Sequence, residues 1–135
     1  MLECWLEVLE QRPLTVRFSL FNPPEGAPGQ LVPRPLMPVG LFVTLTVSDA
    51  AGRQLYVSER PKQKLKLHPG RAESYLTLEP GYSYGAVLAV ERDDLDLRPG
   101  RYQLAAAYSN GVFTGPDEAP LGPLACACQC ALTVP

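Results

Sequence analysis

Polar and apolar residues alternate with a period of two along most of this chain, the pattern of strands that bury one face and solvate the other. Leu2, Cys4, Leu6 and Val8 share one face against Glu3, Trp5 and Glu7, and Leu14, Val16, Phe18 and Leu20 alternate with Thr15, Arg17 and Ser19. The alternation resumes in Leu41-Phe42-Val43-Thr44-Leu45-Thr46-Val47. "SDAAGRQLYV" then turns it back, with Asp49 placed to accept backbone hydrogen bonds and Gly52 placed for positive φ, which predicts a hairpin. "AESYLTL", "SYGAVLAVE" and "RYQLAAAYS" continue the pattern, and residues 124–134 end it with Leu124, Cys126, Cys128, Cys130, Leu132 and Val134 on the more apolar face. No stretch carries helical periodicity.

Punctuation between these segments is rich in proline. Pro23, Pro24, Pro28, Pro33, Pro35 and Pro38 crowd residues 22–40, where missing amide donors and fixed φ exclude an interior strand and leave a long connection or a sheet edge. Leu67-His68-Pro69-Gly70, Leu78-Glu79-Pro80-Gly81 and Leu97-Arg98-Pro99-Gly100 repeat one turn chemistry, with proline at position i+1 and glycine at i+2 of a type II turn. Seven to nine short strands with turns between them predict an all-β fold, an immunoglobulin-like antiparallel β-sandwich in one domain over residues 1–135. Tyr102 follows Leu97-x-Pro99-Gly100 into an alternating strand, as in a tyrosine corner, so its phenol is expected to bond back to the preceding connection.

Composition narrows the function. The chain has 135 residues, of which 46% are apolar and 19% charged, enough for one core without staples. Its formal charge of −2, with 12 basic and 14 acidic residues dispersed along it, gives no footprint for a phosphate backbone or an anionic membrane, so no nucleic acid partner is expected. No apolar run approaches the roughly 18–20 residues of a membrane-spanning helix, so no membrane insertion is expected. The acidic start Met1-Leu2-Glu3-Cys4-Trp5-Leu6-Glu7 lacks the basic segment and apolar run of an export signal; it predicts a cytoplasmic protein, or an exported one if the chain is trimmed from a precursor.

"LEPGYSYGAVLAVERDDLDLRPGRYQLAAAYSN", with "VTLTVSDAAGRQLY" before it and "CQCALTVP" after it, resembles a bacterial immunoglobulin-like domain. It is similar in particular to the accessory domain that precedes the catalytic domain in some secreted deuterolysin-like zinc metallopeptidases. The peptidase signature His-Glu-x-x-His is absent, and His68 is the only histidine. The resemblance therefore implies a non-catalytic module and carries over no functional residue.

Cys126, Cys128 and Cys130 invite a chemical reading. On a strand rising about 3.3 Å per residue, Cys126 and Cys130 lie roughly 13 Å apart, while thiolates on one zinc lie within about 4 Å of each other. Neighbours two apart, at about 6.6 Å, are too distant for the roughly 3.8 Å between Cβ atoms of a disulfide. Buried packing is the favoured reading. A disulfide from Cys4 to one of the trio, or a soft-metal site of Cys4, Cys126, Cys128 and Cys130, are the alternatives, Cys4 coming close if the first and last strands are neighbours.

Other candidates have bland readings that outweigh the functional ones. Asp93, Asp94 and Asp96 read as a solvated connection rather than a calcium site, since the loop glycine and distal glutamate are missing. His68 reads as an exposed turn residue, and "RPLMP" at 34–38 as a stiff loop rather than a polyproline ligand. Trp5, Tyr82 and Tyr84 are expected in core or cross-strand packing, or, facing outwards, as an aromatic platform for sugars.

The long connection 109–123, "SNGVFTGPDEAPLGP", is the expected partner-binding loop, with Asn110, Val112, Phe113, Asp117 and Glu118 as its contacts. With no paired base and nucleophile, phosphate loop or metal-ligand spacing, neither enzymatic activity nor a cofactor is expected. The sequence thus points to a non-catalytic protein-interaction or accessory module with an unknown protein partner. Carbohydrate binding through exposed aromatics is the first alternative, and thiol-based metal binding the second.

Overall fold

In the computed structural model, residues 2–34, 42–59, 74–91, 94–110 and 125–135 are described. Among them the alternation becomes nine strands: β1 (Glu3–Gln11), β2 (Leu14–Phe21), β3 (Gln30–Pro33), β4 (Val43–Asp49), β5 (Gln54–Val57), β6 (Tyr75–Leu78), β7 (Ser83–Ala89), β8 (Gly100–Ser109) and β9 (Ala125–Val134). All pairings are antiparallel. They form sheets of order β1-β2-β7, β5-β4-β8-β9 and the two-stranded β3-β6.

The two larger sheets form a β-sandwich, turning the predicted apolar faces towards one core. Leu14, Val16, Phe18 and Leu20 of β2 meet Val43, Leu45 and Val47 of β4 and Leu104, Ala106 and Tyr108 of β8 in a single cluster of buried residues. Register follows from parity: Cys4, Leu6 and Val8 oppose Leu20, Phe18 and Val16, while Glu3, Trp5 and Glu7 oppose Phe21, Ser19 and Arg17 on the solvent side. A bulge between Val8 and Glu10 inserts Leu9 and restores the alignment at Gln11 and Leu14. β3 meets the proline constraint as expected, pairing among the described residues only with β6 and ending its ladder at Pro33.

Turn chemistry divides. At Glu79-Pro80-Gly81-Tyr82 the predicted type II turn forms, with Gly81 at φ 87° and the Tyr82 amide donating to the Glu79 carbonyl at 3.1 Å. At Arg98-Pro99-Gly100-Arg101 it does not. Gly100 already belongs to β8 at φ 154°, and the Arg98 carbonyl that such a turn would direct at the Arg101 amide instead accepts from the Tyr102 phenol at 2.5 Å. The expected tyrosine corner thus exists and takes the place of the expected turn. Arg12 secures the same connection, its Nε and Nη2 donating to the Leu97 carbonyl at 3.0 and 2.7 Å. The turn expected at His68-Pro69-Gly70 lies outside the described residues.

The β4–β5 hairpin forms as read. Gly52 has φ 85°, and Asp49 Oδ1 accepts from the amides of Ala51 and Arg53 at 3.0 and 2.9 Å. Those hydrogen bonds, the Arg53 amide first, hold the Asp49 carboxyl below its ordinary range. A group whose pKa is depressed in the fold contributes stability above its unfolded pKa and loses it as pH falls through the folded value. The Asp49→Ala variant is therefore expected to melt a few degrees below wild type at neutral pH. The gap should close as thermal scans are taken below pH about 4, the ordinary aspartate value.

Candidate functional site

Two features of this frame gather chemistry. The first is a group of thiols at the margin where the edge strands β1 and β9, from opposite sheets, approach each other. Period-two geometry turns Cys4 inwards from β1, where it is buried, and turns Cys126, Cys128 and Cys130 inwards from β9 opposite Tyr108, Ala106 and Leu104 of β8. The trio packs against the core but is half-buried rather than buried as expected. Among the described residues β9 is an edge strand, with a neighbour on one side only.

Cys4 faces Cys126 and Cys128 in one packed cluster, so the first and last strands are neighbours, as the sequence suggested. Gln11 Nε2 ties the far end of β1 to the Thr133 carbonyl of β9 at 3.3 Å. The nearness of Cys4 divides the thiols electrostatically. Cys126 lies below its ordinary range because of the nearby Cys4 S–H. Cys4 is pushed up to about 12, chiefly by Cys126. Cys128 is pushed up by Cys4 and then by burial, and Cys130 first by burial. All four are free thiols. Among the described residues no group of three or more Cys, His, Asp or Glu side chains is arranged to hold a metal ion. The rise along β9, which spreads its cysteines, accounts for this in the trio.

The second feature is the outer face of the β1-β2-β7 sheet. Trp5 lies over β2 and stacks on Phe21, with ring centroids 5.1 Å apart and planes inclined by 20°. This is the expected cross-strand packing on the diagonal of the Trp5–Ser19 pair. Trp5 is nevertheless 56% exposed. Gly85 of β7 sits beside Ser19, where an added Cβ would come within 2.6 Å of the Phe18 carbonyl oxygen and 2.8 Å of Ser19 Oγ, so a glycine is what lets the strands approach. Exposed Val87 closes the next row with Arg17 and Glu7. Arg17 Nη1 lies 3.6 Å from Glu7 Oε2, and Glu3 and Glu10 complete an acidic rim along β1.

The remaining aromatics do not extend this platform into a row. Tyr84 is half-buried, its hydroxyl donating to the Arg34 carbonyl, and Tyr82, 68% exposed, stands at the turn before β7. On the opposite sheet, Thr44, Thr46, Ala105, Ala107, Ala127 and Gln129 floor an uncharged hollow of about 360 Å³. Of the expected loop contacts, Asn110 is fully buried at the end of β8, beside the Tyr108 phenol, which burial pushes well above its ordinary range. Val112, Phe113, Asp117 and Glu118 lie outside the described residues, as do Asp93, His68 and most of 34–38. Asp94 and Asp96 are exposed.

One residue escaped the sequence reading. Asn22 is fully buried, and its Nδ2 donates to the carbonyls of Ala27 and Leu78, both at 2.9 Å, stitching the β2–β3 connection to β6. Its position at the head of a proline-rich loop was the available signal, since asparagine there often serves backbone groups. Among the described residues no helix is long and apolar enough to cross a membrane. The sequence matches no family model, no curated protein and no solved structure.

Proposed function

We propose that this chain is a non-catalytic accessory module of immunoglobulin-like topology. In this reading it binds a protein partner through the outer face of β1-β2-β7. The carrying observation is exposed Trp5 stacked on half-buried Phe21, set beside exposed Val87 and rimmed by Glu3, Glu7 and Glu10. Exposed aromatic surface of this kind serves as an interface anchor. The acidic rim favours a partner segment that presents an apolar side chain flanked by lysine or arginine.

The immunoglobulin-like assignment draws support from strand order. β1-β2-β7 and β5-β4-β8-β9 follow the A-B-E and C′-C-F-G order of that topology, and the Tyr102 phenol bonds back at the expected corner. The resemblance to accessory domains of bacterial zinc metallopeptidases accords with a role beside a catalytic partner.

Trp5 is the only tryptophan, so its emission reads the proposed face directly. Peptides selected from a displayed random library against the purified chain are expected to carry an aromatic or aliphatic residue between basic ones. They should shift Trp5 emission to the blue and weaken at least tenfold against Trp5→Ser, as loss of an interface anchor does. Peptides that bind Trp5→Ser as tightly as wild type, or emission that responds to soluble β-linked oligosaccharides and to no peptide, would refute the assignment.

A further inference from the structure

We propose that Cys4 and Cys126 form one reversible disulfide, clasping β1 to β9 across the open margin of the sandwich, when the protein meets a small-molecule disulfide. Three observations converge on this pair. Cys4 faces Cys126 and Cys128, cysteines of a different strand and a different sheet packed in the same cluster, whereas cysteines within β9 are held about 6.6 Å apart by strand geometry. Cys126, like Cys128 and Cys130, is half-buried and so reachable from solvent, whereas Cys4 is buried. The nearby Cys4 S–H also favours the thiolate of Cys126, the form that attacks a disulfide, while Cys128 is held as a thiol.

The chemistry balances in two exchanges. Cys126 loses its proton and its sulfur attacks one sulfur of the small disulfide. That S–S bond breaks, a mixed disulfide forms on Cys126, and the departing half takes up a proton and leaves as a thiol. Cys4 then loses its proton and attacks Cys126 Sγ, forming the bond between the strands and expelling the second half as a thiol. Two protein thiols are oxidised by two electrons, and the small disulfide is reduced to two thiols. Excess dithiol reverses both steps. The bond closes a loop of about 120 residues, so it restricts the unfolded chain far more than the folded one.

The test treats the full chain with oxidised glutathione, quenches it with an alkylating agent and measures intact mass and tryptic peptides. Two of the four thiols are expected to escape alkylation. Peptides 1–17 and 102–135 should be joined within one chain, fragmentation should place the bond at Cys126, and the thermal midpoint should rise by several degrees. Cys4→Ser and Cys126→Ser should each stop at a glutathione adduct or at free thiols, while Cys128→Ser should form the link at the wild-type rate. Four alkylated thiols after oxidation, a link between chains, or a Cys126→Ser variant that closes as fast as wild type would overturn the proposal. Near-ultraviolet circular dichroism of each variant, unchanged before oxidation, separates these outcomes from misfolding.

Discussion

Replacing Phe18 by alanine is expected to lower stability by about 3–5 kcal/mol and the thermal midpoint by roughly 10–20 °C. Phe18 is fully buried in the middle strand of its sheet, between Leu6 on β1 and Ala86 on β7. Its ring faces the opposite sheet, so truncation removes apolar contact with both layers and leaves a cavity bounded on two sides by hydrogen-bonded backbone that cannot close in. Phe18→Leu keeps most of the volume and should lose less than half as much. Differential scanning calorimetry of the two variants checks the assignment. If Phe18→Ala melted within a few degrees of wild type, the side chain would not fill the space between the sheets, and the face assignment of β2 would be wrong with it.

That face assignment was legible because parity alone decides it. A strand with Leu14, Val16, Phe18 and Leu20 on one side has a single economical way to meet water, and β1, β4, β8 and β9 followed the same rule. Parity also placed Cys4 and the β9 cysteines on inward faces, and the tendency of first and last strands to be neighbours suggested their meeting. It could not specify which sulfurs face each other, because that depends on the stagger between two sheets whose described strands are not paired with each other. Trp5 shows the same limit. Its outward direction could be read from Glu3 and Glu7 beside it, but its stacking on Phe21 rests on the β1–β2 register, which the bulge at Leu9 adjusts.

Turns were less legible for a related reason. Leu78-Glu79-Pro80-Gly81 and Leu97-Arg98-Pro99-Gly100 carry the same local preference, yet only the first makes a type II turn. At the second, the carbonyl that would close the turn is taken by a phenol four residues on, and the guanidinium of Arg12 holds the adjoining Leu97 carbonyl from across the sequence. Gly100 and Arg101 are at the same time drawn into the ladder with β9, opposite Val134 and Thr133, so sheet pairing overrode local propensity. β6 falls within the predicted segment "AESYLTL", whereas β3, four residues inside the proline-rich connection, was legible only as a possible sheet edge because it offers too few alternations to register.

Asn22 carries this principle furthest, and Asn22→Leu is expected to cost about 2–4 kcal/mol, a fall of roughly 7–14 °C in midpoint. Its Nδ2 supplies both hydrogens to the Ala27 and Leu78 carbonyls, and its own backbone is clamped between the Tyr82 carbonyl at 3.1 Å and the Gly81 amide at 2.7 Å. Leucine matches the volume, so the loss would come from two carbonyls deprived of their donors rather than from a cavity. Asn22→Asp tests that cause. The carboxylate keeps the shape, has no hydrogen to give and adds a buried charge, so it should be at least as damaging at neutral pH. On acidification the carboxyl regains one O–H donor, and the variant should recover part of its deficit relative to wild type. Because Phe21 adjoins Asn22 and supports Trp5, both variants should also shift Trp5 emission before global unfolding begins. An Asn22→Asp deficit that stayed constant down to acid pH, with Trp5 emission unmoved, would mean that the side-chain donor does not hold this corner of the sandwich together.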